Sequence, residues 1–359
     1  MVMDRGMTQP KIPDNGSCLL CCGKAPGPID VNAITRDGGK FIQHADGRIV
    51  EYFTYGSEDP LAPVFLQING SLGTGYFPAN LPLVSGKMKE LGLRGLSITI
   101  PGHGYTSMFD EGYQLGSWAR LDVEPVLAAE GMGTAPLMVE GSSYGAGIAL
   151  GVAKHFGDRL THMHLHVPYI PYELRKEVGI PDKIGDDAFF NKDMAWANSW
   201  SSCWFHCACQ CCMRGCLLNL CGLGSLDDSE TKAMEAAAPG STVTLHRDIS
   251  RAMRHGQNTF GMVHNAVGGL ITKNWGFDVK DVKAPKTKVM ISYNVGDTQC
   301  APAETLPKNP HGEWLAEHFG RHAATCKVNV GGGEGKPNQH GAQMHKLVNG
   351  EFVAQLAAL

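Results

Sequence analysis

Short apolar runs recur along the chain between segments of helical period, and their spacing predicts alternating strands and helices. Residues 40–44 and 48–55 read as two strands joined through Ala45-Asp46-Gly47, where Asp-Gly is a strong hairpin signal. Residues 63–69 form a buried-strand pattern, 78–92 a helical one and 95–100 the next strand. A helix is predicted over 117–130, a strand over 136–140, a helix over 144–156 and a strand over 161–167. Between about 170 and 275 the rhythm breaks into Gly-, Trp-, Cys- and Asp-rich pieces. It resumes with a strand at 287–293, a helix near 311–320, a strand at 325–330 and a terminal helix at 352–359. Such alternation implies an α/β fold with a mostly parallel central sheet flanked by helices. The expected organisation is an irregular N-terminal tail (1–38), a first core part (39–169), an inserted helical cap (170–275) and a second core part (276–359).

Composition narrows the function classes. With 31 Lys plus Arg against 35 Asp plus Glu, the chain has a net charge of −4 and no basic field for nucleic acid. Its apolar stretches fall short of the ~20 residues a membrane span needs, and Met1 to Pro10 is too polar for a signal peptide, so a cytoplasmic location is expected. Of the 12 cysteines, ten cluster at 18–22 and 203–221 and the others are Cys300 and Cys326, in a chain too long for a disulfide scaffold, which points to reduced thiols.

The pentapeptide Gly141-Ser142-Ser143-Tyr144-Gly145 fits G-x-S-x-G at a predicted strand-to-helix turn, the setting of a nucleophile elbow. A serine hydroxyl is a poor nucleophile in water. It becomes a useful one where a base and preorganised amide N–H groups reach it. Three further landmarks stand at matching places: Asn69-Gly70-Ser71-Leu72 after a buried strand, Pro101-Gly102-His103-Gly104-Tyr105-Thr106 after the next, and Asn294-Val295-Gly296-Asp297 after a late strand.

With these four, residues 40–359 resemble the α/β-hydrolase superfamily. The resemblance implies the α/β-hydrolase fold and a triad in the chain order Ser143, Asp297, then a histidine after the last strand. Both His340 and His345 follow that strand; His340 is preferred because it lies in the irregular segment before the terminal helix, and His345 is the alternative base. The oxyanion hole would come from the backbone N–H groups of Ser71 and Tyr144. This chain departs from the family pattern at Asn69, Ser142 and Ala146, none of which removes a required group.

The cysteines at 203, 207, 209, 211, 212, 216 and 221 with His206 invite a zinc reading, but their spacing lacks the separated pairs of a structural site and apolar bulk surrounds them. Residues 195–224 are therefore expected to form an apolar lid helix, with Leu72, Trp200, Trp204 and Phe205 lining the substrate pocket. His162, His164 and His166 share one strand face and are expected to be satisfied by hydrogen bonds. Neither a metal nor a cofactor is expected. Cys18, Cys21 and Cys22 beside Leu19 and Leu20 are read as a reduced cluster, with acylation, or the cap, as the route to any peripheral membrane contact. The chemistry expected is hydrolysis of a carboxylic ester or thioester of a small hydrophobic or acyl molecule. The alternatives are an aminopeptidase-type amide hydrolase and a receptor-like, non-catalytic binder.

Overall fold

The alternating pattern builds a sheet of eight strands in the computed structural model, which describes residues 29–70, 73–107, 114–180, 228–254, 275–297, 309–332 and 339–359. The strands are β1 (Lys40–Gln43), β2 (Ile49–Gly56), β3 (Val64–Ile68), β4 (Arg94–Ile98), β5 (Leu137–Ser142), β6 (Leu160–His166), β7 (Ala284–Asn294) and β8 (Ala323–Gly331). Their spatial order is β1-β2-β4-β3-β5-β6-β7-β8. Pairing is antiparallel from β1 through β2 to β4 and parallel everywhere else. Chain order reverses between β4, β3 and β5, the arrangement at which open α/β sheets bind ligands outside the carboxyl ends of their strands. The hairpin turn falls at Asp46-Gly47: Gly47 has φ +90° and its N–H donates to the His44 carbonyl at 2.9 Å.

Two predicted helices are interrupted, each at an identifiable residue. The pattern at 78–92 divides into Tyr76–Ala79 and Pro82–Glu90, because Pro82 suits only the first turn of a new helix. The segment 117–130 becomes Leu115–Trp118, one π-helical turn Ala119–Val123, and Glu124–Ala129. Pro125 has no N–H for the carbonyl of Leu121, and the Glu124 N–H reaches back five residues to the Ala119 carbonyl instead. The terminal helix is present as Glu351–Ala357, preceded by a further short helix, Met344–Val348, from which Gly350 at φ +79° separates it.

Each face of the sheet is covered by its own helices. Val64, Leu66, Val139, Leu165 and Ile291 face one core, packed with Trp118, Ile148, Trp275 and Phe319. Phe65, Met138 and Met290 face the other, packed with Val84, Met88, Leu347 and Phe352. Part of the 170–275 insertion belongs to this second core: helix Asp228–Ala237 carries Met234 into it, and helix Ser241–Arg254 follows. Residues 195–224, the expected lid helix, lie outside the described residues.

A row of buried polar side chains crosses the second face. Tyr55 on β2 donates to Gln67 on β3 at 2.6 Å, Gln67 donates to Glu140 on β5 at 3.0 Å, and Glu140 meets His164 Nδ1 on β6 at 3.1 Å. His164 Nε2 lies 2.8 Å from the Ser292 hydroxyl on β7, and Asn329 on β8 bridges Ser292 to Gln355. Gly95 makes the first link feasible, since a Cβ there would stand 2.5 Å from the Tyr55 ring as it passes over β4. His164 is thus held from both sides, and His166 and His162 bond Ser142 and Thr161. Among the described residues, no group of His, Cys, Asp and Glu is placed to hold a metal ion, and no helix is long and apolar enough to cross a membrane.

Candidate active site

Strand β5 ends at Ser142, and the next residue turns sharply into helix Tyr144–Phe156. Ser143 adopts φ +54° and ψ −116°, a backbone conformation that L side chains rarely take. Two glycines make the turn possible. A Cβ on Gly141 would lie 2.2 Å from the Gly145 carbonyl oxygen, and one on Gly145 would lie 2.3 Å from the Ile68 carbonyl oxygen. The strained residue is pinned through its N–H, which donates to the His166 carbonyl at 2.8 Å. Gly145→Ala is expected to destabilise the fold by about 3 kcal/mol, because backbone on both sides of the contact cannot move aside. Urea unfolding of the variant beside Gly147→Ala, where only the Trp275 ring must shift, measures it.

The Ser143 hydroxyl lies 3.0 Å from Nε2 of His340, whose Nδ1 lies 2.8 Å from Oδ2 of Asp297. The Asp297 carboxylate is fully buried, whereas the imidazole keeps an opening to the surface. Elements far apart in sequence hold these groups. Asp297 follows β7 through Gly296 at φ +80°, and His340 lies in the short turn Gln339–Gly341 that follows β8. Asn294 ties the two together: its amide donates to the His340 carbonyl at 3.2 Å, while Gln343 donates to its side-chain oxygen at 2.8 Å. His345 lies farther on, in helix Met344–Val348.

Two other histidines near the site are held below their ordinary value. Burial pushes His166 well below its ordinary value. His311 is pushed down to about 3, mainly by burial and then by Arg175, with Asp297 opposing. The Ser142 hydroxyl is engaged by His166 Nδ1 at 2.9 Å, so the two adjacent serines have separate partners.

Tyr144 opens the helix after the elbow, where backbone N–H groups have no partner within the helix. Beside it runs the loop after β3: a Cβ on Gly70 would lie 3.4 Å from Ser143 Cβ. Ser71 and Leu72 fall in the short gap of this loop and lie outside the described residues, as do Trp200, Trp204 and Phe205.

A buried charge network next to these loops leaves no signal in the sequence. Arg251, on helix Ser241–Arg254, pairs with Glu51 on β2 and with Asp37, and its guanidinium lies 4.5 Å from the Tyr105 ring centre. Glu51 accepts from the Thr99 hydroxyl at 2.8 Å, and a Cβ on Gly104 would come within 2.7 Å of it, so the loop after β4 closes over this carboxylate. Asp248, one turn before Arg251, accepts from the N–H of Thr74 at 2.9 Å and from its hydroxyl. Burial, with Glu51 adding to it, pushes Asp248 up to about 7 against the opposing effects of Thr74 and Arg251. A carboxyl raised in the folded state binds protons there that the unfolded chain has lost. Its contribution therefore falls as pH rises from about 4 to about 7, by at most about 4 kcal/mol at 1.36 kcal/mol per unit. Asp248→Asn is expected to remove that dependence, so that its melting temperature gains on the wild type between pH 5 and pH 8. A constant difference across those pH values would contradict it.

No known family model and no curated protein matches the sequence. Solved structures do match the fold. An esterase from Exiguobacterium antarcticum superposes with a TM-score of 0.57 at 14% identity, covering 89% of this chain and 99% of its own. The enol-lactonase from Burkholderia xenovorans gives 0.57 at 13% identity over 89% of this chain and all of its own, 100%. A bromoperoxidase from Bacillus anthracis gives 0.55 at 14% identity, covering 89% and 100%.

Proposed function

We propose that this chain, which has the α/β-hydrolase fold, is a serine hydrolase that cleaves a carboxylic ester or thioester of a hydrophobic acyl group through an acyl-serine intermediate. Fold alone does not select the reaction, since the similar structures include an enzyme named a bromoperoxidase beside ones named an esterase and an enol-lactonase. The observation that carries the reading is the continuous relay Asp297–His340–Ser143 with its serine on a strained turn.

In this reading the Ser143 oxygen attacks the carbonyl carbon while its proton passes to His340 Nε2. Asp297 keeps the imidazole in the tautomer with its proton on Nδ1 and stabilises the imidazolium that forms. The negative charge that develops on the substrate oxygen is met by the N–H groups of Tyr144 and Ser71, each donor contributing roughly 3 kcal/mol. Collapse of the tetrahedral intermediate breaks the bond to the alcohol or thiol, which takes the proton from His340. Water, deprotonated by the same imidazole, then releases the acid and restores Ser143.

The test is a chain-length series of p-nitrophenyl esters beside aminoacyl amides and a fluorophosphonate label. Ester turnover with labelling at Ser143 supports the reading; turnover of the amides alone moves it to peptidase chemistry, and no labelling at all to a binding role. Trp200, Trp204 and Phe205 are assigned to an apolar pocket on the strength of the aromatic, cysteine-rich sequence around them. Polar substitution there is expected to weaken long esters more than acetate, by roughly 0.8 kcal/mol for each methylene that loses apolar surroundings. An equal loss on every ester would remove these residues from the pocket.

A further inference from the structure

We propose that Asp248, contributed by the insertion helix Ser241–Arg254, is a positioning residue that fixes the loop Asn69–Thr74 against Ser143. The proposal rests on the serine-hydrolase reading above and deepens it, because this is the loop from which the second oxyanion donor would come.

The described ends of the loop, Asn69–Gly70 and Gly73–Thr74, are joined by short-range contacts. At its base the Asn69 side-chain amide donates to the Thr74 carbonyl, and across it the Gly73 N–H donates to the Gly70 carbonyl at 3.0 Å. Gly73 has no room for a side chain, since a Cβ there would lie 2.6 Å from Asn69 Cβ. These contacts tie the two ends of the loop to each other but not to the elbow. Thr74 supplies an outside anchor. Both its N–H and its hydroxyl donate to the carboxylate of Asp248, which is completely buried and lies 174 residues along the chain. The hydroxyl oxygen also accepts from the Tyr76 N–H at 3.1 Å, so the grip continues into the helix that follows.

An anchor is useful only if it does not move. Helix Ser241–Arg254 is fixed three residues beyond Asp248 by the buried Arg251, which pairs with Glu51 and Asp37. Glu51 in turn accepts from Thr99, whose hydroxyl oxygen receives the Gly75 N–H at 2.9 Å. The helix therefore reaches the loop after β3 by two routes, directly at Thr74 and indirectly at Gly75. A segment of the insertion is in this way built into the frame of the active site. A shift of even ~1 Å in an oxyanion donor is enough to slow an acyl transfer substantially.

The full chain with Asp248→Ala, Asp248→Asn or Thr74→Val tests the proposal. The readouts are p-nitrophenyl ester kinetics, affinity for an alkyl trifluoromethyl ketone that forms a tetrahedral adduct with the serine, and hydrogen exchange of residues 66–76. Asp248→Ala is expected to lower kcat about tenfold or more with KM changed less than about twofold, and to weaken the ketone in parallel. Exchange should quicken in 66–76 and stay unchanged in 137–150. Asp248→Asn, which keeps an acceptor for the Thr74 N–H and a donor for its hydroxyl oxygen, should restore kcat to within about threefold. A folded Asp248→Ala variant that keeps wild-type kcat and ketone affinity overturns the proposal. Should that variant not fold, the nearly isosteric Thr74→Val takes its place, and unchanged kcat in it has the same meaning. A wild-type chain that neither hydrolyses the ester nor binds the ketone overturns the hydrolase reading instead, and this proposal with it.

Discussion

Replacing Ser143 by alanine is expected to lower ester turnover by about five to six orders of magnitude and to abolish fluorophosphonate labelling, while the chain still folds. The two halves of that result have separate causes. Removing the oxygen leaves no atom to form the acyl bond, so what remains is whatever rate the donors and the pocket lend to water. Stability changes little, because the hydroxyl's bond to His340 is at a half-buried position and His340 keeps its bond to Asp297. Ser142→Ala is the control: its hydroxyl serves His166, so activity should survive with a stability loss of about 1 kcal/mol. Turnover assays and thermal melts of the two variants, side by side, decide the matter. If Ser142→Ala is the inactive one, the nucleophile has been misplaced by one residue.

The second large effect concerns the base. His340→Ala is expected to reduce kcat by roughly four orders of magnitude, whereas His345→Ala keeps most of it, since only the His340 ring lies within hydrogen-bonding reach of Ser143. Asp297→Asn should cost about 10⁴ in kcat with KM little changed, because an amide beside Nδ1 favours the wrong tautomer. Equal losses from His340→Ala and His345→Ala would point to disruption of the terminal helices rather than to proton transfer.

Much of the sheet was legible in the sequence because buried parallel strands are short, apolar and punctuated, as 63–69 and 136–140 are, while 161–167 shows a strand's two-residue alternation. Helix boundaries were less so, and the discrepancies fall at Pro82 and Pro125, where a single residue sets the break. The elbow was visible because its geometry excludes side chains at Gly141 and Gly145, which leaves a mark in the residue types. In the sequence, His340 differs from His345 only by its place in an irregular stretch before the terminal helices. The Thr74–Asp248 contact left no mark of that kind, as partners 174 residues apart carry no local pattern. An aspartate in an amphipathic helix reads as a solvent-facing charge until the neighbouring strand is in place.

The polar row beneath the second core has a consequence for how the sheet assembles. Each member meets its partner only if its strand is aligned with the next: Gln67 lies opposite Glu140, and Glu140 opposite His164. A slip of one residue would turn these groups to the opposite face and leave several of them dry and unpaired, at about 1–3 kcal/mol apiece. Without Gln67 and Glu140, β3 and β5 would tolerate sliding far better, since one apolar side chain fits a neighbour's groove much as another does. The row therefore works as a set of notches. Once β3, β5, β6 and β7 have engaged, Ser143, Asp297 and His340 are delivered to the same end of the sheet by strands that have one way to align.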